Sequence, residues 1–201
     1  MEIKRLIVGP LATNCYILTH NKKAVVIDPG AEPERILDFL SSRNLEVRFV
    51  INTHGHADHI LADDIFGRPV YIHRDDAPFL KDSSLNMSDF LGLPFTVKTN
   101  DIKLLDGKDS IEFEGVKLEI IHTPGHTPGG ICIKAEDFLF SGDTLFLHSV
   151  GRTDIPYANH KELIKGIKEK LLVLPENTKV FPGHGEFTTI AEEKLNNPFL
   201  S

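Results

Sequence analysis

The sequence has few cysteines, no tryptophan and a deficit of positive charge. Of its 201 residues two are cysteine, and 22 Lys and Arg stand against 29 Asp and Glu, so the formal charge is −7. Cys15 and Cys132 are too few for a disulfide framework and lie among β-type residues, which favours buried reduced thiols and a cytoplasmic location. The basic residues are scattered, whereas phosphate binding needs clusters of them, so no nucleic-acid partner is expected.

Long apolar runs are also missing. No uninterrupted apolar span could cross a bilayer, so no membrane partner is expected. Lys4 and Arg5 precede an apolar run as in a secretory signal, but Gly9 and Pro10 interrupt it and no cleavage site follows. The composition, with 41% hydrophobic and 25% charged residues, is that of an ordinary globular chain. Its length favours a single domain over residues 1–201.

Strand and helix patterns follow one another in both halves of the sequence. In the first half we predict strands at 2–8, 14–20, 24–28 and 46–52. We predict helices at 33–43 and 60–66. In the second half we predict strands at 110–115, 116–123, 130–135, 137–142 and 178–182. We predict helices at about 161–174 and from about 189. Residues 83–100 lack periodicity and could form a lid or a filler. Two strand-rich halves with helices indicate two sheets packed face to face, with helices outside.

The stretch "NTHGHADHI" places three histidines and an aspartate within six positions, on the loop between a strand and a short helix. Residues two apart point to the same side of an extended chain, so His54 and His56 can hold one ion if the loop is extended there. Asp58 continues this spacing, whereas its neighbour His59 must point elsewhere. This arrangement is awkward for one tetrahedral ion and indicates two adjacent ions.

Three further loops offer ligands of the same kind. His126 lies in "HTPGHTPGG", Asp143 follows a strand in "LFSGDTLF", and His184 lies between two glycines in "VFPGHGE". Four such loops in one chain predict a shared metal-binding edge, although each alone would be weak evidence. His122 is interpreted as a hydrogen-bonded core histidine. The histidines without a partner at ligand spacing are interpreted as structural or surface residues: His20, His73, His148 and His160.

The four loops together resemble the metallo-β-lactamase fold superfamily, which carries an HxHxDH loop followed by a His, an Asp and a His on separate loops. The resemblance implies a single metallo-hydrolase domain: a four-layer αββα sandwich, α/β in class, with two mixed sheets face to face and helices outside. It further implies that one ion is held by His54, His56 and His126, the second by Asp58, His59 and His184, with Asp143 bridging both.

Asp28 in "AVVIDPG" matches the first motif of that superfamily, an acidic residue that supports the ligand loop without binding metal. A turn aspartate before Pro-Gly explains the same residue equally well. Ligands made only of nitrogen and oxygen fit Zn, Fe and Mn alike, so the sequence does not name the ion. We expect two divalent ions per chain, with Zn as the first choice and Fe or Mn as the alternatives.

The motif "SVGRTD" makes the chain most similar to the short form of the hydroxyacylglutathione hydrolases, the glyoxalase II-like proteins. This resemblance implies a thioesterase acting on a small thioester such as S-lactoylglutathione through a metal-bridging hydroxide. Asp143 and Asp58 would be catalytic as well as ligands, with Asp58 accepting the proton of the nucleophile. The Lys-x-Tyr pair that holds glutathione in full-length members is replaced by Arg152-x-Asp154, so Arg152 becomes the candidate for binding an anionic substrate.

Other functions of the same fold compete with this one. A persulfide dioxygenase would hold a single iron with His54, His126 and Asp143. True β-lactamases of this fold commonly carry Cys or Ser in place of the bridging aspartate, so Asp143 argues against antibiotic hydrolysis. RNA-processing members add a basic arm, which is not visible here, and a protein that had lost its metals would show damaged ligand positions. The oligomeric state is left open.

Overall fold

The N-terminal half of the chain forms the first sheet in the computed structural model, which describes residues 1–200 except the side chain of residue 91. Its six strands lie in chain order: β1 (Glu2–Val8), β2 (Thr13–His20), β3 (Lys23–Ile27), β4 (Glu46–Ile51), β5 (Val70–His73) and β6 (Ile102–Leu105). Strands β1 to β3 pair antiparallel, and β3 to β6 pair parallel. The carboxyl ends of β4 and β5 therefore lie at one edge of the sheet.

The C-terminal half forms the second sheet. In chain order it supplies β7 (Ser110–Phe113), β8 (Val116–His122), β9 (Ile131–Ala135), β10 (Phe138–Gly142), the separate hairpin of β11 (Leu145–Phe146) and β12 (Ser149–Val150), β13 (Lys179–Pro182) and β14 (Thr188–Thr189). The pairing is antiparallel except between β10 and β13. Both sheets are therefore mixed.

Helices cover the outer face of each sheet. They are α1 (Pro33–Ser42), α2 (Ala57–Ile60), α3 (His160–Gly166), which continues as a π-helical turn (Ile167–Leu171), and α4 (Ile190–Asn196). On α1, Ile36 and Leu40 pack under the first sheet, and Leu163 of α3 packs under the second. The predicted four-layer αββα sandwich is confirmed. Within residues 1–200, no helix is both long and apolar enough to span a bilayer.

The central strands are buried on both faces, which explains their continuous apolar sequence. On β2, Tyr16 and Leu18 belong to the core between the sheets, whereas Cys15 and Ile17 belong to the cluster under α1. Cys132 lies in a third cluster, under α3, so the two cysteines are buried, unpaired and on opposite outer faces.

Most predicted elements are observed with small shifts at their ends, but the helix predicted at 60–66 is wrong. Helix α2 ends at Ile60, and a separate 3₁₀ turn follows at Asp63–Phe66. The Ala62 amide donates to the Pro29 carbonyl at 2.8 Å instead of continuing the helix, so a tertiary contact interrupts it. The strands at 70–73 and 102–105 were not predicted, because four residues are too few to show a period.

The segment 83–100 contains one 3₁₀ turn (Ser88–Leu91) and otherwise follows an irregular path. Phe95 and Val97 pack on the cluster that covers the outer face of β4 and β5, so this part fills a surface. Met87 and Phe90 instead line a cleft above the histidine cluster. The segment therefore serves both as packing and as a wall.

The core between the sheets generates a stability prediction. Replacing Leu118, which is fully buried on β8 in this core, with Ala should lower the free energy of unfolding by about 2–5 kcal/mol, because the lost contacts leave a cavity. Replacing Leu195, which is 80% exposed on α4, should change it by no more than about 0.5 kcal/mol. Denaturant unfolding of both variants at equal metal content measures the difference. Equal losses would contradict the assigned core.

Candidate metal centre

The seven candidate ligands, which sequence analysis placed on four separate loops, are brought together at one edge of the two sheets. Each loop leaves the carboxyl end of a strand: β4 in the first sheet, and β8, β10 and β13 in the second. The side chains of the HxHxDH loop and of His126 are more than 90% buried, apart from that of Asp58, which is 20% exposed. The structure therefore brings the four loops to one shared edge, as the sequence predicted.

Within this cluster the ligand atoms fall into two groups, and a third set of His54, His59 and Asp143 spans them. The atoms of His54, His56 and His126 lie within 4.8 Å of one another, and so do those of Asp58, His59 and His184. These are the two sets that the resemblance implies. Tetrahedral ligands at about 2.1 Å from an ion lie about 3.4 Å apart. The distance from His184 Nε2 to Asp58 Oδ2 is 3.2 Å, and that from His59 Nε2 to His184 Nε2 is 3.3 Å.

Asp143 lies between the two groups. Its Oδ2 is 3.6 Å from His126 Nε2 and 3.6 Å from His184 Nε2, and its Oδ1 is 3.5 Å from His59 Nε2. The carboxylate thus reaches both groups at once, which is the position a bridging ligand needs. That these seven side chains bind metal stays a prediction.

Hydrogen bonds orient four of the imidazoles. Each is bonded through Nδ1 to an oxygen: His54 to Thr53 Oγ1 (3.2 Å), His59 to Asp28 Oδ2 (3.0 Å), His126 to the Arg152 carbonyl (2.9 Å) and His184 to the Leu11 carbonyl (3.0 Å). An Nδ1–H that donates leaves the Nε2 lone pair free to bind a metal. His56 instead faces His126 Nε2 through its Nδ1, at 3.0 Å.

The polar atoms left over at the centre fit metal ions. His54 Nε2 and Asp143 Oδ1 are buried and have no hydrogen-bond partner, which costs free energy unless something else binds them. Nitrogen and carboxylate oxygen are suitable ligands for Zn, Fe and Mn. The cluster is therefore suited to binding metal ions.

The protonation of the histidines differs across the cluster. Burial, reinforced by the neighbouring imidazoles, lowers the pKa of His54 well below its usual range and that of His56 to about 3, so both are neutral as metal ligation requires. Burial also acts to lower the pKa of His59, but Asp58, Asp143 and Asp28 together raise it to about 10. An ion binding at His59 Nε2 must displace that proton.

Asp28 contacts the ligand loop from behind. Its carboxylate accepts hydrogen bonds from the amide and the hydroxyl of Thr53, both at 2.7 Å, and from His59 Nδ1. The side chain is buried, and its backbone has φ +52°, a left-handed conformation that Asp tolerates better than most residues. These contacts favour the supporting role over that of a simple turn residue.

The extended backbone of the ligand loop ends before Asp58. The backbone is extended at His56, but α2 begins at Ala57, whose amide donates to the Asn86 carbonyl at 2.9 Å. Asp58 and His59 therefore diverge because they lie on a helical turn. The Asp58 carboxylate is held by the Thr13 hydroxyl at 3.0 Å, a contact that sequence reasoning missed.

Arg152 is exposed and already engaged. Its Nε and Nη2 donate to the two carboxylate oxygens of Asp154 at 2.8 and 3.0 Å, so the guanidinium forms a bidentate ion pair within its own loop. Its role in substrate binding stays a prediction. His122 donates through Nε2 to the Pro128 carbonyl at 2.9 Å and stacks on buried His73, in keeping with a hydrogen-bonded His122. His73, for which no ligand partner was expected, lies with Asp75 and His122 in a further set of ligand-type atoms within 4.8 Å of one another.

A cleft of about 530 Å³ opens above the cluster. Its walls outside the ligands are mainly apolar: Leu11, Met87, Phe90, Phe146, Val150 and Ile155. Among the described residues that line it, Arg152 is the one Lys or Arg. The cleft thus offers apolar surface next to the ligand cluster and a single cation at its rim.

Comparison with known proteins agrees with the fold and the cluster. Residues 8–184 match the family model of the metallo-β-lactamase superfamily, and the chain belongs to this superfamily. It is 34% identical over 209 residues to hydroxyacylglutathione hydrolase GloC of Haemophilus influenzae, covering 100% of this chain and 99% of the relative. This membership supports a metal-dependent hydrolase.

Two solved structures are similar over nearly the whole chain. BLEG-1, described as a B3 metallo-β-lactamase, shares 39% identity with a TM-score of 0.95 and 100% coverage of both chains. TTHA1623, solved in a di-iron-bound form, shares 34% identity with a TM-score of 0.86, covering 98% of this chain and 100% of that one.

The unpartnered polar atoms at the centre generate a prediction about metal removal. Ions that bind only the folded chain stabilise it by about 2.7 kcal/mol at 100 times their Kd, or roughly 5–11 °C in Tm for a chain of this size. Thermal unfolding in Zn²⁺ and in excess chelator measures this shift. A Tm that is the same in both conditions would contradict the metal centre.

Proposed function

We propose that the protein hydrolyses thioesters with two divalent ions, Zn most naturally, held by the seven ligands. The observation that carries the proposal is the position of Asp143, within 3.6 Å of both ligand groups and beside an apolar cleft. The di-iron form of TTHA1623 supports two ions and also keeps iron among the candidates. The similarity to GloC supports S-lactoylglutathione as the first substrate to test.

Bound ions would supply a hydroxide near neutral pH and polarise the thioester carbonyl. The chain's own side chains would orient the ions and the proton acceptor and would exclude water from the cleft. Asp58, held by Thr13 and close to His184, is positioned to accept the remaining proton of the nucleophile. Apolar walls limit the access of water. No nucleophilic Ser or Cys is needed, because the hydroxide would be the nucleophile. Cys15 and Cys132 lie buried on the outer faces of the sheets.

The cleft supports a small molecule rather than a nucleic acid as the partner. Phe90 and Phe146 provide surface for the acyl group or the thiol carrier, and Arg152 is the one cation at the rim. Because the Arg152 guanidinium already forms an ion pair with Asp154, an anionic substrate must compete with the Asp154 carboxylate for it. We therefore propose that Arg152 contributes to binding only after this ion pair opens.

Elemental analysis combined with an oxygen-free assay tests the proposed function. About two metal ions per chain and hydrolysis of S-lactoylglutathione under nitrogen would support it. About one iron per chain, no hydrolysis, and oxygen uptake with a glutathione persulfide would show the persulfide dioxygenase instead.

Hydrolysis of β-lactams is a second candidate, favoured by the similarity to BLEG-1. Asp143 argues against this candidate, but amide and thioester hydrolysis both need a hydroxide and a polarised carbonyl, which bound ions would supply in either case. Turnover of a chromogenic cephalosporin, compared with turnover of the thioester by the same preparation, separates the two. A larger kcat/KM for the cephalosporin would replace the thioesterase proposal.

The bridging position of Asp143 generates a mutational prediction. Asp143→Asn removes the negative charge between the two groups and should lower both metal occupancy and thioester turnover by at least about tenfold. Asp38→Asn, at an exposed position of α1, serves as the matched control and should change neither. Full activity with two bound metals in the Asp143 variant would refute the bridging role.

The Arg152–Asp154 ion pair generates a prediction about substrate affinity. Asp154→Asn frees the guanidinium and should lower KM for S-lactoylglutathione by about two- to fivefold, the range of an exposed ion pair. Arg152→Gln should raise KM, and both variants should leave kcat nearly unchanged because neither side chain belongs to the ligand set. A KM unaffected by either change would remove Arg152 from substrate binding.

A further inference from the structure

Asp76 is a buried carboxylate that sequence analysis did not single out. It follows β5 by three residues, much as Asp28 and Asp143 directly follow strands, and that placement is the signal that could have identified it. Its side chain is fully buried. It stands before the 3₁₀ turn Ala77–Lys81, yet it forms no side-chain cap there, although Asp commonly caps such ends.

The carboxylate of Asp76 instead joins two ligand loops. Oδ2 accepts hydrogen bonds from the Gly55 amide at 2.9 Å and from the Thr127 hydroxyl at 2.7 Å, and Oδ1 accepts one from the Gly129 amide at 2.6 Å. Gly55 lies between His54 and His56, and Thr127 follows His126. The contacts therefore reach both loops that carry one predicted ligand group.

Two close approaches make this arrangement specific. A Cβ atom on Gly129 would lie 2.7 Å from Asp76 Oδ1 and 2.5 Å from the Asp76 amide nitrogen, so only glycine lets the amide reach the carboxylate. A Cβ atom on Gly55 would lie 2.4 Å from the Cβ of Phe79. The segment 76–79 is therefore packed directly against both loops.

The fold carries Asp76 to this place through a contact between the two sheets. His73, the last residue of β5, stacks on His122, the last residue of β8, with ring centroids 3.9 Å apart and planes 13° from parallel. Asp76 lies three residues beyond His73, and His126 lies four residues beyond His122. The stacked rings thus hold the start of both segments in register.

The surroundings of Asp76 fit a carboxylate rather than a carboxylic acid. All three contacts are donors to its oxygens, and each ionic hydrogen bond strengthens the hold on a loop. Burial raises the pKa of this group, and the three hydrogen bonds act against that rise.

From this geometry we infer that Asp76 is a positioning residue that holds His54, His56 and His126 in place for one metal ion. The inference rests on the proposed metal centre. Asp28 approaches the HxHxDH loop through Thr53 and His59, whereas Asp76 approaches it through Gly55 and ties it to the second sheet. The two carboxylates thus support different parts of the centre.

Stepwise Zn²⁺ dissociation constants, measured on the two-metal protein by competition with a chelator, test this role. Asp76→Asn should weaken one constant by about 10- to 100-fold, the usual effect of losing a partner that orients ligands, and leave the other unchanged. The weakened constant should be the one that His126→Ala abolishes. The Co²⁺-substituted variant should show an altered visible absorption spectrum for that ion.

Glu193→Gln is the matched control. Glu193 is also fully buried and accepts from a backbone amide, a hydroxyl and a side-chain amide, namely those of His148, Thr188 and Asn197. It touches none of the predicted ligands, so its substitution should lower Tm without changing either metal constant. If Asp76→Asn also lowers Tm and leaves both constants unchanged, the inference is overturned and Asp76 is merely structural.

A second variant covers the case in which Asp76→Asn does not fold. Thr127→Val removes one of the three hydrogen bonds and keeps the side-chain shape, so it should weaken the same constant by a smaller factor. Thr188→Val, which removes the corresponding bond to Glu193, should weaken neither. Unchanged constants in the Thr127 variant would then overturn the inference.

The outcomes also separate this inference from the proposed function. A protein that binds two ions and shows the selective loss, yet hydrolyses no thioester, supports the role of Asp76 and refutes the thioesterase. A thioesterase whose Asp76 variant keeps both constants refutes the role of Asp76 alone. A protein that binds no metal overturns both.

Discussion

The burial of polar ligand atoms at the edge of the two sheets is the constraint on which the rest of the site depends. His54 Nε2 and Asp143 Oδ1 are buried without a hydrogen bond from the described part of the chain, and imidazole nitrogens face one another at 3.0 to 3.3 Å. Such a cluster is unfavourable by itself, because buried polar atoms need partners. Bound cations would resolve the conflict, and oxygens that accept from Nδ1 hold four of the rings with the opposite nitrogen directed inward.

The scaffold can tolerate the unfavourable free energy of this polar cluster because apolar packing away from the site stabilises the two sheets. Tyr16, Leu118 and Phe140 fill the space between the sheets, and α1 and α3 cover the outer faces. Loops at the strand ends are then free to carry polar residues. What the hydrophobic core does not control is the relative position of loops from different sheets. Asp76 does this by joining Gly55 of the HxHxDH loop to Thr127 and Gly129 of the second sheet, while Asp28 supports the HxHxDH loop from within the first sheet.

The candidate metal centre and the walls of the cleft above it come from different parts of the chain. Ligands come from loops whose residues define the superfamily, whereas the cleft is lined by Met87 and Phe90 of the irregular segment and by the loop around Arg152. The chain is similar to a hydroxyacylglutathione hydrolase and to a B3 metallo-β-lactamase, and under the proposed function the walls of the cleft would select the substrate.

The sequence by itself determined the elements that depend on local pattern: the long strands, α1, the four strand-end loops and the ligand types on them. It also indicated two sheets packed face to face, through two strand-rich halves with helices, and the αββα architecture through motifs that resemble one superfamily. Tertiary structure alone decided that α2 begins at Ala57, since an amide contact with Asn86 starts it, and that β5 and β6 exist, since pairing stabilises strands too short to show a period. It also placed Asp76 between two ligand loops and paired the Arg152 guanidinium with the Asp154 carboxylate. Such contacts join residues far apart in the chain or depend on side-chain direction, and neither leaves a local pattern to read.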